Sequence, residues 1–394
     1  MVLTYTDCQC YTCVRFMIEN FSGLNKFKLA GTIKAPNIQW HPEDGKQIEL
    51  QETMYRGLVM KKFVLIQVLL FCVLLICTTS AYAADNSRVV IYTAAEDERI
   101  AYLQDQLDMQ FPDYEIVFQS LGTGQLLSKL QAEGQNGDCD IFYDLEVVNA
   151  EIILNANPDL FVDLSGYDFS IYDPSVTGYT DRHHQYAVNG KTAGAFLVNT
   201  KMLDEEDLPI PASYEDMLKP EYEELISMPS PLSSGTGYSY YNGMITLLGE
   251  DEGLAYFDEL NPNIKEYTTS GSAPAKAAVR GDVAIAYGLL WQCVQYANDN
   301  EGMTVVVPDQ GLAFDLFTMG MISGHETKEP VKAVFDYLYN ELNKPQCAKY
   351  NPDKIYVDMP AAEIPNYPVS YDEITMNGLF DFEYKQNLLD MWMY

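Results

Sequence analysis

From residue 88 onward, short β-branched and aromatic runs alternate with stretches whose apolar residues recur every three or four positions. Val89, Val90, Ile91 and Tyr92 make an apolar run of strand length, and Ile100, Leu103, Leu107 and Phe111 follow at helical spacing. A second run, 116–118, precedes a short helical pattern on Leu126, Leu127 and Leu130, and a third covers 140–143. Strand, helix, strand, helix, strand predicts a parallel sheet covered on both faces, because each element must bury its apolar side against another layer.

After a polar, Tyr- and Asp-rich passage over 164–189, the run 195–198 opens a second unit, with helices predicted over 238–248 and 252–260 and a strand over 283–287. Two further strands, 304–307 and 317–322, are placed to carry the chain back to the first unit. A helical pattern on Val331, Val334, Phe335, Leu338 and Leu342 and a Tyr- and Met-rich tail follow. No repeat or low-complexity linker intervenes, so two crossings predict a hinge rather than a tether. The expected fold is α/β: two doubly wound lobes joined by a two-crossing hinge. Lobe 1 is expected over 84–190, completed by 310–394, and lobe 2 over 191–309.

The N-terminal region reads differently. Met60-Lys61-Lys62 precedes an apolar stretch over 63–76 and the small-residue sequence Ser80-Ala81-Tyr82-Ala83. This is the order of a cleavable signal peptide, expected over 60–83 with cleavage after Ala83. Residues 1–59 are then expected to be a non-native upstream extension, since export machinery reads an N-terminus. Cys8, Cys10 and Cys13 have no second ligand pair at zinc spacing. Phe71 and Ile76 precede Cys72 and Cys77 where a lipoprotein signal needs a small residue, so the expected product is a free periplasmic protein. Only Cys139, Cys293 and Cys347 follow the cleavage site, so at most one disulfide can form.

Charge narrows the partners. Residues 1–83 hold 8 of the 24 basic and 6 of the 57 acidic side chains, which leaves a mature charge of −35. Nucleic-acid binding needs a basic footprint and is excluded as an expectation. A charge of this size favours solubility and a monomer.

Three segments share one design: Gly122-Thr123-Gly124, Ser233-Ser234-Gly235-Thr236-Gly237, and Thr268-Thr269-Ser270-Gly271-Ser272-Ala273-Pro274. Each follows a predicted strand and leads into a helical pattern, so each offers backbone N–H groups and hydroxyls at the positive end of a helix. Anions are held this way without a basic side chain. Thr93 and Glu96, after the first strand, and Asp144 and Asp315, near other strand ends, are further candidates; the carboxylates suit a ligand amine. Tyr143, Tyr287 and Trp291 are candidate aromatic walls. There is no G-x-S-x-G elbow, Ser272 and Lys276 do not have S-x-x-K spacing, and Gly122 to Lys129 is not a Walker loop. After residue 83 only His183, His184 and His325 remain, without metal-ligand spacing. No catalytic residue, no metal and no cofactor are expected.

The runs 121–127, 233–238 and 267–277 resemble the ferric, organophosphonate and thiamine group of periplasmic solute-binding proteins. Asn261-Pro262-Asn263 and Val279-Arg280-Gly281-Asp282 sit where that group has them. The resemblance extends from Val89 to about Leu342. It implies a type II periplasmic-binding fold, a small-molecule ligand, and a membrane permease and ATPase of an ABC importer as partners. Iron-binding members use a His after the first strand, a Glu after the third, and adjacent tyrosines after a late strand. The approximate equivalents here are Glu96, Leu145, and Trp291 with Gln292, so the tyrosine pair is missing and the resemblance implies an anion cradle for a phosphonate, phosphate ester or thiamine phosphate; a ferric receptor of the same fold is the alternative, and a secreted enzyme or sensor subunit the reading from another class. The ligand-binding set expected is Thr93, Glu96, Gly122, Thr123, Gly124, Ser233, Ser234, Gly235, Thr236, Thr269, Ser270, Gly271, Ser272, Tyr287 and Asp315.

Overall fold

The computed structural model describes residues 87–180 and 184–394; the expected signal peptide, its cleavage point and the upstream extension lie outside them. The first part of the chain folds as β1 (Arg88–Thr93), α1 (Asp97–Gln110), β2 (Glu115–Ser120), α2 (Thr123–Glu133), β3 (Ile141–Glu146), α3 (Val147–Ala156) and α4 (Pro174–Thr180). Next come β4 (Ala187–Asn199), α5 (Thr200–Glu205), β5 (Ile226–Pro229), α6 (Gly235–Leu248), α7 (Glu250–Leu260), β6 (Ile264–Thr268), α8 (Ala273–Arg280), β7 (Ile285–Leu289) and α9 (Leu290–Asp299). The chain ends through β8 (Met303–Val306), β9 (Leu312–Met321), α10 (Glu329–Tyr337), α11 (Asn343–Tyr350), β10 (Glu373–Ile374) and α12 (Phe382–Met391).

The strands form one continuous path, β2-β1-β3-β9-β4-β7-β5-β6, with β8 beside β4 and β10 beside β9. Its two ends are parallel, β1 between β2 and β3 and β5 between β6 and β7. The middle is antiparallel: β9 pairs with β3 and with β4, and β4 pairs onward with β7 and β8. The sheet is therefore mixed rather than parallel throughout. The reversed strands are the two that run between the halves, which a strand-and-helix alternation along the sequence does not display.

β4 is longer than the run that signals it. Its 13 residues are buried throughout, including Asn189, Lys191 and Thr192, because its first part lies against β9 and its last part against β7. The polar letters hide a strand covered on both sides.

The apolar core follows the two ends of the sheet. One cluster gathers β1, β2, β3, β9 and α10 around Ile91, Leu103, Phe142, Met319 and Phe335. Another gathers α6, α7, β5 and β7 around Phe196, Met228, Tyr240, Phe257 and Tyr287. The last helix, α12, joins this second cluster through Leu388 and Trp392, whereas sequence order alone groups the tail with the first lobe. Trp392 lies against Tyr241, Phe257 and Tyr267, which supplies the apolar area that holds the tail there. The three cysteines among the described residues are buried and free.

Candidate ligand-binding site

The turns after β1, β2, β5 and β6 meet around one cavity. Its outer chamber, about 230 Å³, is lined by Ala94, Ala95, Glu96 and Asp97, by Ser120, Leu121, Gly122 and Thr123, by Ser233 and Ser234, and by Thr269, Ser270, Gly271 and Ser272. An inner chamber of about 50 Å³ shares Ala94, Glu96, Thr123, Ser234 and Gly271 with it. Arg99, Asp144, Thr192, Gly235, Thr236, Leu289, Phe317 and Asn351 complete that second wall. Parallel strands put their carboxyl ends and the following helix starts on one side, which is where open α/β sheets bind ligands.

Local chemistry explains each turn. Gly122 precedes α2 in an extended conformation, and the Gln125 side-chain carbonyl accepts from its N–H at 3.3 Å. Ser234 caps α6, its hydroxyl accepting from the Gly237 N–H at 3.5 Å. A Cβ on Gly237 would lie 2.4 Å from the Pro229 carbonyl oxygen, so only glycine lets α6 start this close to β5. Ser272 precedes α8, whose first turn carries Pro274, where the missing N–H has no helical partner to lose. A Cβ on Gly271 would lie 2.2 Å from Thr236 Oγ1, so glycine is what brings two of the turns into contact. The Ser233 hydroxyl is buried at the cavity without a protein partner.

Charge is concentrated at the floor. The Arg99 guanidinium donates to both Asp144 oxygens, at 3.1 Å from Nη2 to Oδ1, and from Nη1 to Glu96 Oε2 at 3.2 Å. Its Nε is buried without a partner. Burial raises the Glu96 carboxyl above its ordinary pKa; Arg99 opposes that rise and Asp144 adds to it. Asn189 Nδ2 also donates to Asp144 Oδ1, at 2.5 Å. The acceptors of Asp144 are thus engaged within the protein, and of the carboxylates anticipated for a ligand amine, Glu96 is the one that lines both chambers.

The structure gathers Glu96, Gly122, Thr123, Ser233, Ser234, Gly235, Thr236, Thr269, Ser270, Gly271 and Ser272 at this cavity. Thr93, Gly124, Tyr287 and Asp315 do not line either chamber. Thr93 is fully buried at the end of β1, its hydroxyl accepting from the Ala95 N–H at 3.0 Å. Gly124 faces a separate space of about 80 Å³ shared with Glu146, Tyr238 and Lys385. Tyr287 stacks on Tyr240 at 4.1 Å between ring centres, inside the second core. Asp315 is buried on β9 beside Glu146 and Lys385, and its carboxyl is pushed up to about 8, mainly by burial and then by the Glu146 charge. Tyr143 and Trp291 are also core residues; the Tyr143 hydroxyl lies 2.6 Å from Asn343 Oδ1, and Trp291 packs edge-on against Tyr350.

Arg99, Thr192 and Asn351 escaped sequence reasoning. Thr192 and Asn351 lie far apart in the chain and meet only in the fold, the Thr192 hydroxyl donating to Asn351 Oδ1 at 3.1 Å. Arg99 offered one faint signal, its i,i+3 spacing from Glu96, which is as common on solvated helices. Among the described residues no group of three or more His, Cys, Asp or Glu is arranged to hold a metal ion, and no helix is long and apolar enough to cross a membrane.

With this geometry in place, comparison with known proteins assigns the family. The chain belongs to the bacterial extracellular solute-binding proteins, whose family model matches residues 161–370. It is an extracellular solute-binding protein of the ABC-importer type, a class that binds small molecules and works with a membrane permease and an ATPase. That family places it outside the cytoplasm, in the periplasm. An uncharacterized protein of Haemophilus influenzae (strain ATCC 51907 / DSM 11121 / KW20 / Rd) is 24% identical over 268 residues, 66% of this chain and 74% of that protein. The periplasmic binding protein P5PA matches with a TM-score of 0.66 and 21% identity, covering 78% of this chain and 98% of that one. AfuA from Actinobacillus pleuropneumoniae, solved with exogenous fructose-6-phosphate bound, matches with a TM-score of 0.66 and 23% identity over 77% of this chain and 97% of that one. The fold is the type II periplasmic-binding fold. Within it ligands differ: a periplasmic thiamin-binding protein (0.63) and a ferric iron-binding protein A from Mannheimia haemolytica in an open conformation (0.54) also match.

Proposed function

We propose that the protein captures a small phosphorylated or phosphonate anion in the two-chamber cavity, closes its halves around it and hands it to a permease. One observation carries this reading: hydroxyl-and-glycine turns from opposite halves, 122–123 on one side and 233–236 and 269–272 on the other, line a single cavity. Each helix start contributes roughly +0.5 charge, and each hydrogen bond to a charged group about 1.5–3 kcal/mol. Surface charge is screened over about 8 Å at physiological salt, so contacts near 3 Å in a desolvated cleft outweigh the distant acidity.

The roles divide by position. Thr123, Ser234, Gly235, Thr236, Ser270, Gly271 and Ser272 donate to the anion, and Ser233 brings a hydroxyl with no competing partner. Glu96 accepts from a hydroxyl or amine at the far end of the ligand, while Arg99 holds the floor. The sugar phosphate bound by AfuA supports a phosphate ester over a bare anion. A ferric ligand is the second reading, favoured only by likeness of fold to ferric-binding proteins, that of Mannheimia haemolytica and iron-bound HitA from Pseudomonas aeruginosa among them. Trp291 and Gln292, buried at the start of α9, give it no hard oxygen anion. The protein works as a monomer without cofactor or catalytic residue, after a signal peptide is cut behind Ala83. Its halves move as 84–190 with the strands and helices that return from 310 onward, against 191–309 with the last helix α12, which packs on that second half.

A thermal-shift panel tests this with inorganic phosphate, a hexose phosphate, an alkylphosphonate, thiamine phosphate and ferric citrate. A phosphorus oxyanion at 100 times its dissociation constant stabilises by about 2.7 kcal/mol, and Gly271→Val abolishes the shift by forcing the 234–236 turn away. A shift with ferric citrate alone overturns the reading.

A further inference from the structure

The last helix of the chain buries its apolar side chains in one half and also lies alongside α3 of the other, where its charged contact falls. Leu388 and Trp392 bury α12 against the second core, and the Tyr241 hydroxyl donates to the Leu388 carbonyl at 3.0 Å. The segment before it is tied to the same half, where Asn242 Nδ2 donates to the Asn377 carbonyl at 2.9 Å. From that anchored helix the Lys385 ammonium reaches the first half, 2.9 Å from Glu146 Oε2 at the end of β3 and 3.3 Å from Asn149 Oδ1 on α3. It also sits 4.5 Å above the Tyr238 ring of α6.

Glu146 sits at the same meeting point. A Cβ on Gly235 would lie 1.6 Å from Glu146 Oε1, so this carboxylate of the first half rests directly against the start of α6, part of the proposed cradle. Lysine and glutamate are both rarely buried unless paired, and here each is the other's counter-ion across the division between the halves. A buried ion pair adds little net stability, but removing one member leaves an uncompensated charge. Such a pair is poor as general glue and effective as a contact that exists in one arrangement only: separating the halves lets water take both charges.

We propose that α12 is a strap carried by the second half, and that Lys385 is its catch, a positioning residue that holds the halves together and sets the 234–236 turn through Glu146. The strap rests on the closure described above but not on any ligand class, and it places a determinant of the open–closed balance outside the cavity.

The test is a distance distribution between fluorophores on cysteines introduced at exposed Gln110 on α1 and Glu259 on α7. Cys139, Cys293 and Cys347, the native cysteines among the described residues, are buried, and Cys8, Cys10, Cys13, Cys72 and Cys77 are replaced by serine so that labelling is selective. In the full-length protein without ligand, Lys385→Met and Glu146→Gln should each lower the ratio of closed to open molecules at least about fivefold. The double variant should add little to either, because both break one contact. Lys385→Arg, which keeps the charge, should recover part of the closed population. If Lys385→Met fails to fold, Glu146→Gln decides alone. Folded variants with the parent's distribution overturn the strap. A parent that shows one fixed distance with and without each compound of the panel overturns both strap and closure, whereas failure of every compound to bind, with closure intact, sinks only the ligand class.

Discussion

Two buried clusters of the same formal composition lie on either side of the cradle. In one, Arg99 meets Glu96 and Asp144; in the other, Lys385 meets Glu146 and lies beside Asp315. Both contain two carboxylates and one cation, yet they are satisfied differently. The guanidinium fork occupies both oxygens of Asp144 and one of Glu96. The ammonium occupies one oxygen of Glu146, leaving Glu146 Oε1 and Asp315 Oδ2 buried without partners. A planar five-donor fork matches carboxylates in pairs, whereas an ammonium is a point charge. In the first cluster the carboxylates are paired, and in the second two carboxylate oxygens stay buried and unpaired, a tension that the proposed parting of the halves relaxes.

The largest effect expected comes from breaking the paired cluster. Arg99→Met strands Asp144 in the interior and should cost about 3–5 kcal/mol of unfolding free energy, read by denaturant titration. Restoring part of that loss with Arg99→Met/Asp144→Asn would show that the stranded charge, not lost packing, is the cause.

A sharper comparison turns one cluster into the other. Arg99→Lys keeps the charge and removes the fork, and should cost about 1–3 kcal/mol, with weaker ligand binding because the chamber floor loses its fixed geometry. A variant as stable as the parent would show that the fork contributes nothing beyond its charge.

The second cluster should declare itself through pH. The folded-state carboxyl of Asp315 titrates near 8, above its ordinary value of 3.8, because burial and Glu146 disfavour the anion. The folded state therefore holds a proton that the unfolded chain has released. This group's contribution to stability is complete below pH 4, falls as pH rises towards 8 and is flat beyond. Melting curves of Asp315→Asn between pH 5 and 8 should lack that decline and converge with the parent at low pH. Parallel curves for the two proteins would remove the tension argued for this cluster.

The smallest effect belongs to a pair of the same charge types in water. Lys276 on α8 and Glu98 on α1 lie 3.5 Å apart, with side chains 34% and 46% exposed. Lys276→Gln should change stability by less than about 1 kcal/mol and vanish into error at high salt. A loss as large as that of Arg99→Met would mean that burial is not what separates the clusters.

The cradle was legible in the sequence because helix starts are local events. Ser234, Ser272 and Pro274 cap or open helices whatever surrounds them, and the glycines mark turns that admit no side chain. Glu96 was legible for the same reason, as the residue ahead of an amphipathic helix. Tyr287 and Asp315 were misleading because their strands run beyond the ends read from the sequence, on to Leu289 and back to Leu312, so both residues lie inside a strand and are buried. Arg99 was illegible because an arginine in a helix's first turn reads the same whether it points to solvent or into the interior.

Hydrophobic period, turn chemistry and capping act within about ten residues, so the amino-acid order by itself determined the strand-and-helix alternation, the α/β class and the three hydroxyl-and-glycine turns. Only the tertiary structure decided that β4 and β9 reverse the sheet between its parallel ends, that Thr192 and Asn351 share a chamber with Arg99, and that α12 returns to the second half to set Lys385 against Glu146. Those outcomes depend on which buried surfaces and charges find each other across more than a hundred residues, and the energy of such a meeting is carried by neither residue alone.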